Sequence, residues 1–327
     1  MNAEKLKIVF FGTPEFAVES LDALIKDGFD VRAVVTMPDK TGGRGNRIIE
    51  SAVKQYAVGA GLPVLQPVKL SDPEFVAALE AIEADLFIVI AFRMLPRVVW
   101  TMPPLGTFNL HASLLPQYRG AAPINRAIIN GETRSGVTTF LLKHEIDTGD
   151  ILRQEAVEIG PDENVGSLYD RLMKLGAGVT VETVRQLAAG TARPIPQEQL
   201  LGGAEPTPAP KIFHEDCRIR WSATARSVHN LVRGLSPAPG AWCEFSLGGA
   251  EGQPQTTLKI LQTRVATDGA ELLPGQLELR GRRLLSGTGQ GAVELVTVQP
   301  AGKKSMDAKA WYNGLQPGRN ERLPWLL

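Results

Sequence analysis

Over residues 1–190, short apolar runs rich in β-branched residues alternate with stretches whose apolar residues recur at helical spacing. This alternation is typical of βαβ units, in which parallel strands are joined by helices that cover the sheet. The predicted strands are Ile8–Phe11, Val31–Val35, Asp85–Ile90, Thr107–Leu110 and Val137–Leu142. The sequence therefore predicts a doubly wound, Rossmann-like α/β fold for this part of the chain.

The predicted helices follow from turn residues and apolar stripes. After the first strand, Gly12 is expected to turn the chain, Thr13 to cap a helix and Pro14 to occupy the first helical position. A long helical stretch is predicted over residues 163–189, ending at Gly190.

Prolines and glycines interrupt every periodicity between residues 191 and 210 (TARPIPQEQLLGGAEPTPAP). This composition is typical of a linker or of a chain laid along a surface. A length of 327 residues also exceeds what a single core usually reaches, so two cores are expected. The predicted division is a domain over 1–190, a linker over 191–210 and a second domain over 211–327.

The second domain is predicted to be rich in strands. One helix, Ala223–Gly234, precedes short strand-like runs at Trp242–Leu247, Thr257–Gln262, Leu277–Leu279 and Val293–Val298, which turn residues separate. Several short strands at such spacing favour a small β-barrel, which we expect to be OB-like.

Composition narrows the possible environments. No run approaches the roughly 18 apolar residues that a membrane helix needs, and the longest strongly apolar run before the first turn has only four consecutive residues. We expect no membrane span and no signal peptide. Cys217 and Cys243 lack the spacing of metal ligands, so they are expected to be free thiols in a reducing cytoplasm, with no bound metal.

Charge is divided unequally although the formal net charge is zero. From residue 211 onward there are 15 Lys and Arg against 10 Asp and Glu. A basic excess in one domain is typical of a surface that meets an anion, and this excess is too small to identify a nucleic acid by itself.

The densest group of reactive residue types is FNLHASLLPQYRGAAPINRAIINGE, residues 108–132, which begins at the end of a predicted strand. In open α/β sheets, ligands bind at the carboxyl ends of the strands. Asn109 and His111 lie two positions apart, so on a strand their side chains share one face. Taken alone, a histidine in this position is more often packed or solvated than catalytic.

Asp147 follows another apolar run, in the turn Ile-Asp-Thr-Gly. An aspartate before Thr-Gly is commonly an ordinary turn residue. Together, however, an amide, an imidazole and a carboxylate provide an oxyanion donor, an acid or base and its orienting group, as acyl transfer to an amine requires. No nucleophilic Ser or Cys elbow accompanies them, which favours direct attack by the amine.

The segment NLHASLLPQYRGAAPI closely resembles the signature of the folate-dependent formyltransferases. The resemblance implies that Asn109, His111 and Asp147 are the essential trio. It also implies a tetrahydrofolate-binding segment formed by Ser113, Leu114, Leu115 and Pro116.

AFRMLP at residues 91–96 resembles the family's pterin-pocket loop. The resemblance implies backbone hydrogen bonds to the pterin from Arg93, Leu95 and Ile146. Many members of the tRNA branch have Tyr-Gly near Phe92 and Arg93, and this chain departs from them there.

Further segments resemble the branch of the family that formylates methionyl-tRNA. They are FGTPEFA at 11–17, a Gly-Arg-Gly loop at 43–45, the block at 218–242 and QPAGKK at 299–304. Members that formylate glycinamide ribonucleotide resemble only the first domain. The resemblance implies 10-formyltetrahydrofolate as co-substrate and initiator methionyl-tRNA as acceptor, and we expect a monomer.

Three basic residues are candidates for tRNA contact. Arg44 lies in a glycine-rich loop, and in the resembling family a loop inserted here enters the acceptor stem. Lys303 and Lys304 are a second candidate pair for phosphate contact. An ordinary solvated surface is the alternative at both places.

Three other functions remain open at this point. A nucleotide-sugar N-formyltransferase would share the fold and leave the basic second domain unexplained. A hydrolase could split formylfolate with the same residues. A catalytically silent RNA-binding protein would have no need of Asn109, His111 and Asp147.

Overall fold

The structure is a computed structural model that describes residues 6–42, 47–252, 254–317 and 324–327. The described residues form two compact units. The first contains the described residues up to Pro123, together with Ser135–Val157 and Tyr169–Ala209. The second contains Ile124–Arg134, Glu158–Leu168 and the described residues from Pro210 onward. Arg44 lies outside the described residues.

Strands and helices are interspersed along the chain as far as Leu201. The strands are β1 (Lys7–Gly12), β2 (Asp30–Val35), β3 (Lys40–Gly42), β4 (Arg47–Ile49), β5 (Val64–Leu65), β6 (Leu86–Ile90), β7 (Thr107–His111), β8 (Arg134–Leu141) and β9 (Ile151–Glu158). The helices are α1 (Glu15–Lys26), α2 (Ala52–Gly59), α3 (Pro73–Glu80), α4 (Arg97–Trp100), α5 (Pro123–Ile129), α6 (Val165–Ala188) and α7 (Glu198–Leu201).

A mixed sheet with strand order β5-β2-β1-β6-β7-β8-β9 is the framework of the first unit. The pairs from β5 to β7 are parallel, whereas β8 runs antiparallel to β7. Every residue of β6 is buried, as expected for a parallel strand covered on both faces. The predicted doubly wound α/β fold is confirmed, and each strand predicted in this part corresponds to an observed strand.

The start of α1 differs from the sequence prediction by one position. The helix begins at Glu15, Pro14 is its N-cap, and no side chain caps it. Thr13 Oγ1 is buried without a hydrogen-bond partner among the described residues. The hydroxyl of Tyr169 accepts a hydrogen bond from the Phe16 amide instead (3.1 Å), which satisfies one free N–H group of the first turn.

The segment predicted as a linker or surface chain is hydrogen bonded to the first unit. The backbones of Ile195 and Ile151 pair in both directions, at 2.8 and 2.9 Å. Further on, the Tyr118 amide donates to the Thr207 carbonyl (2.6 Å) and the Ala209 amide donates to the Arg119 carbonyl (2.7 Å). These bonds lay the segment along the first unit as far as Ala209.

From Pro210 onward, the described part of the second unit contains two α-helices and an antiparallel sheet. Its elements are α8 (Ala225–Leu235), β10 (Ala241–Ser246), β11 (Pro254–Ala266), β12 (Leu277–Arg280), β13 (Arg283–Gly287), β14 (Ala292–Pro300), β15 (Met306–Asp307), α9 (Ala308–Gly314) and β16 (Trp325–Leu326). The predicted helix and four predicted strands correspond to α8, β10, β11, β12 and β14.

The sheet of the second unit has the order β12-β13-β14-β11-β10-β16, with β15 beside β14. A bridge between Gln276 and Trp325 brings β16 to the chain just before β12. This pairing curls the sheet round into a closed barrel, as predicted. A cluster of buried apolar residues that includes Trp221, Trp242 and Trp311 fills the unit.

In the described part of the chain, no helix combines the length and the apolar character that crossing a membrane demands.

Leu326 tests the closure of the barrel. It is 2 % exposed on β16, so Leu326→Ala should lower the free energy of unfolding of this unit by about 2–5 kcal/mol. Denaturant titration followed by tryptophan fluorescence measures this, because Trp221, Trp242, Trp311 and Trp325 all lie in the second unit. Leu273→Ala, at a 61 % exposed position, is the control and should change little. Equal losses in both variants would contradict the role given to β16.

Candidate active site

The strand β7 places Asn109 and His111 at the carboxyl end of the parallel part of the sheet. Asn109 pairs with Val89 of β6 and with Phe140 of β8, so both flanks of the strand are fixed. His111 is buried and Asn109 is half-buried. The Asn109 carboxamide makes no hydrogen bond to any other described residue, which leaves its donors available to a ligand.

Among the described residues, one hydrogen bond holds the His111 ring. Its Nε2 lies 2.8 Å from the backbone carbonyl oxygen of Tyr118. Because a carbonyl oxygen only accepts, Nε2 carries a proton and donates it. In neutral His111, Nδ1 is therefore the unprotonated nitrogen and the one that can take up a proton.

The Asp147 carboxylate lies beside that free nitrogen. Its Oδ2 is 3.8 Å from His111 Nδ1 and accepts a hydrogen bond from the Gly120 amide at 2.9 Å. The backbone of Asp147 has φ +55°, a left-handed conformation that is unusual for a residue other than glycine. The structure thus brings His111 and Asp147 together, and the bond that orients the imidazole comes from Tyr118.

Two residues that the sequence did not single out support this arrangement. Gln197 is wholly buried and donates from Nε2 to the carbonyls of Asp147 (2.9 Å) and Gly149 (2.8 Å). Its Oε1 accepts from Arg119 Nε and Nη2, at 3.0 and 2.7 Å. Nothing local in the sequence marks a glutamine in a Pro-rich segment as part of a site built around Asp147.

The predicted folate segment is a tightly bonded loop. Thr138 Oγ1 donates to the Ser113 carbonyl (2.6 Å) and accepts from the Leu115 amide (3.1 Å). Gln154 Nε2 donates to the Leu115 carbonyl at 2.7 Å. The side chains of Ser113, Leu115 and Pro116 are buried, whereas Leu114 is partly exposed.

Arg93, Leu95 and Ile146 occupy different environments. The Arg93 guanidinium donates to the carbonyl of Val68 at 2.7 Å and also to that of Pro67, and burial lowers its pKa from the usual value. Leu95 is buried, and Ile146 is 64 % exposed beside Asp147. The side chain of Arg93 is thus engaged within the protein, which leaves its backbone for a ligand.

Two of the basic residues predicted to contact tRNA belong to the second unit. Lys303 and Lys304 are exposed in the turn between β14 and β15 of the second unit. The Lys303 carbonyl accepts a hydrogen bond from Gln299 Nε2 at 3.0 Å, which orders the turn while both ammonium groups remain in solvent.

The two cysteines are predicted to be free thiols, and no bound metal is expected. Cys217 and Cys243 are unpaired and buried, and burial raises the pKa of both thiols, that of Cys243 to about 12. A thiol with so high a pKa is a poor nucleophile. Among the described residues, no group of three or more His, Cys, Asp or Glu side chains is arranged to hold a metal ion.

Known proteins resemble this chain over both of its parts. Residues 6–184 match the Formyl transferase family, and residues 211–316 match Formyl transferase, C-terminal domain. The methionyl-tRNA formyltransferase of Bacteroides fragilis is 50% identical over 307 residues, which are 94% of each chain. That of Porphyromonas gingivalis is 49% identical over 320 residues, covering 96% of this chain and 97% of the relative.

Solved structures share the fold at lower identity. An N-formyltransferase from Helicobacter canadensis, in complex with folinic acid and dTDP-3-aminofucose, superposes with a TM-score of 0.64 at 19% identity. The match covers 90% of this chain and 99% of that one. HypX from Aquifex aeolicus with tetrahydrofolic acid gives a TM-score of 0.61 at 19% identity, over 95% of this chain and 47% of that one.

Thr138→Val tests the loop at residues 113–117. The change removes a hydroxyl and leaves the Leu115 amide unpaired, so stability should fall by about 1–3 kcal/mol and hydrogen exchange at that amide should accelerate. Thr139→Val is the matched control, because Thr139 is also buried and bonds Thr183 on the other face of β8 (2.8 Å). Unchanged exchange at Leu115 in Thr138→Val would show that the Thr138 hydroxyl does not protect that amide.

Proposed function

The chain belongs to the methionyl-tRNA formyltransferases of the formyl transferase family, and on this premise we propose how its residues carry out the reaction. The formyl group passes from 10-formyltetrahydrofolate to the α-amine of initiator methionyl-tRNA, giving N-formylmethionyl-tRNA. The observation that supports this proposal most strongly is the pair formed by His111 and Asp147, together with the Asn109 carboxamide, which no described residue hydrogen bonds and which lies on the same strand as His111. Because charged tRNA is the acceptor, we expect the reaction to take place in the cytoplasm.

The reaction adds the neutral amine to the formyl carbon and then breaks the bond from that carbon to the folate nitrogen. Negative charge develops on the formyl oxygen at the tetrahedral stage. The Asn109 carboxamide donates a hydrogen bond to this oxygen. It need not break another bond to do so, because no described residue hydrogen bonds to it. Fixed donors of this kind stabilise the transition state because they need no reorganisation when the charge appears.

His111 moves protons through Nδ1. Since Nε2 is held by the Tyr118 carbonyl, Nδ1 takes the proton that the attacking amine loses and returns it to the departing folate nitrogen. Asp147 stabilises the transient imidazolium from 3.8 Å away. The Gly120 amide holds the carboxylate in place throughout.

The folate site proposed here is formed by segments next to the carboxyl ends of β6 and β7 and next to Asp147. Backbone groups of Arg93 and Leu95 follow β6, Ile146 precedes Asp147, and the segment Ser113–Pro116 follows β7. Because Ser113, Leu115 and Pro116 are buried, backbone groups and the side chain of Leu114 are the parts of this segment that meet a ligand.

Formyl transfer to a nucleotide sugar is the main alternative. The Helicobacter canadensis enzyme was solved with such a compound, but at 19% identity the likeness extends only to the fold. An assay with formylfolate and charged initiator tRNA, a sugar nucleotide or water separates transfer to tRNA from this alternative and from hydrolysis. Formylation of the sugar nucleotide in preference to tRNA would overturn the assignment.

His111→Ala and Asp147→Asn test the catalytic roles. Each should lower kcat at least about a hundredfold, because a proton carrier or the charge beside it is lost, while binding of tetrahydrofolate persists. Steady-state kinetics and calorimetry measure the two effects. His144→Ala is the control, since His144 is exposed in the same loop as Asp147. Near-wild-type kcat in either test variant would refute the assignment.

We propose that Arg44, Lys303 and Lys304 contact tRNA phosphates. Arg44→Ala and the double variant Lys303→Ala/Lys304→Ala should weaken tRNA use and leave tetrahydrofolate affinity unchanged. Each lost phosphate contact should reduce the slope of log affinity against log salt by about 0.7–0.9. Titrations between roughly 50 and 200 mM salt measure this, with the exposed Lys174→Ala as control. A wild-type slope in both test variants would show that these residues are ordinary solvated side chains that make no phosphate contact.

A further inference from the structure

A buried carboxamide in the segment after α6 has hydrogen bonds at all of its donor and acceptor sites. Gln197 donates two hydrogen bonds, to the carbonyls of Asp147 and Gly149, and accepts two from Arg119. A guanidinium can only donate and a carbonyl can only accept, so the orientation of the amide is fixed. Glutamate would keep the acceptor and lose both donors, and asparagine is one methylene shorter.

These bonds connect the two loops that hold the reactive pair. Arg119 lies between Tyr118, whose carbonyl accepts from His111 Nε2, and Gly120, whose amide donates to the Asp147 carboxylate. Gln197 therefore completes a ring of contacts that runs from the Asp147 carbonyl through Arg119 and Gly120 back to the Asp147 side chain. The ring ties the backbone and the carboxylate of Asp147 to the loop that orients His111.

Asp147 needs such support because of its backbone. A residue with a Cβ atom disfavours φ +55°, and such conformations persist only where the surroundings impose them. The two bonds from Gln197 hold the carbonyls of Asp147 and Gly149. They therefore fix the backbone at the start and at the end of the turn Asp147–Gly149. They oppose relaxation of this turn, which would swing the carboxylate away from Nδ1.

We propose that Gln197 is a positioning residue for the formyl transfer, acting through the backbone of Asp147. This inference rests on the function proposed above. Gln197 itself touches neither reacting atom, so its effect should fall on the chemical step and not on substrate binding. A misplacement of about 1 Å at a reacting group is enough to reduce a rate by up to about a hundredfold.

Gln197→Glu is the decisive variant, because it keeps the acceptor for Arg119 and removes both donors to the Asp147 turn. We expect kcat with methionyl-tRNA to fall by about tenfold to a hundredfold, with KM for tRNA and the Kd of tetrahydrofolate within about twofold of wild type. Gln199→Glu is the matched control, because Gln199 is exposed two positions away in α7, and it should retain wild-type kinetics.

Wild-type kcat in Gln197→Glu, or a loss of folate affinity that parallels the loss of kcat, would overturn the proposal. If Gln197→Glu does not fold, Arg119→Lys decides the question. This change removes one of the two hydrogen bonds that Gln197 Oε1 accepts from Arg119. A severalfold lower kcat at an unchanged Tm would support the proposal, and an unchanged kcat would overturn it. Wild-type protein that fails to formylate methionyl-tRNA would refute the proposed function instead, so the two failures are distinguishable.

Discussion

The hydrogen bond from His111 Nε2 to the Tyr118 carbonyl determines which nitrogen of the imidazole remains reactive. With Nε2 committed, Nδ1 is the nitrogen left to exchange a proton, and in the mechanism proposed above a carboxylate acts only on that side of the ring. Asp147 lies there, at the cost of a left-handed backbone, and the Gly120 amide holds its oxygen. The loop containing Tyr118 and Gly120 thus supplies both the orientation of the base and the placement of its charged neighbour.

Burial makes these contacts effective and also makes them necessary. A polar group taken out of water without a partner destabilises the fold, so each buried polar atom near the site needs a partner. Thr138 meets this need for the loop at 113–117, and Gln197 meets it for the turn at 147–149. The same bonds that satisfy the backbone fix the positions of the groups attached to it. Stability and positioning therefore have a common physical origin here.

The two units differ in the kind of surface that they offer to a ligand. In the first, the parallel strands β6 and β7 end side by side, so neighbouring loops converge on a small volume. In the second, the barrel has a buried apolar core that includes Trp221, Trp242 and Trp311, and its turns are polar. The turn between β14 and β15 exposes Lys303 and Lys304. A rigid edge of a sheet suits chemistry that needs fixed distances. An exposed cationic turn suits a polyanion, because electrostatic attraction acts over a longer range than direct contacts.

The sequence by itself determined the fold class and the approximate position of most strands, and it predicted Asn109, His111 and Asp147 as site residues. Periodicity and strand-end position are local properties, and they survive without tertiary information. Only the tertiary structure decided that Pro14, and not Thr13, occupies the N-cap position of α1, and that Gln197 and Arg119 belong to the hydrogen-bond network around Asp147. Those facts depend on side chains that meet although they lie far apart along the chain, and no local pattern encodes which distant donor reaches a given carbonyl.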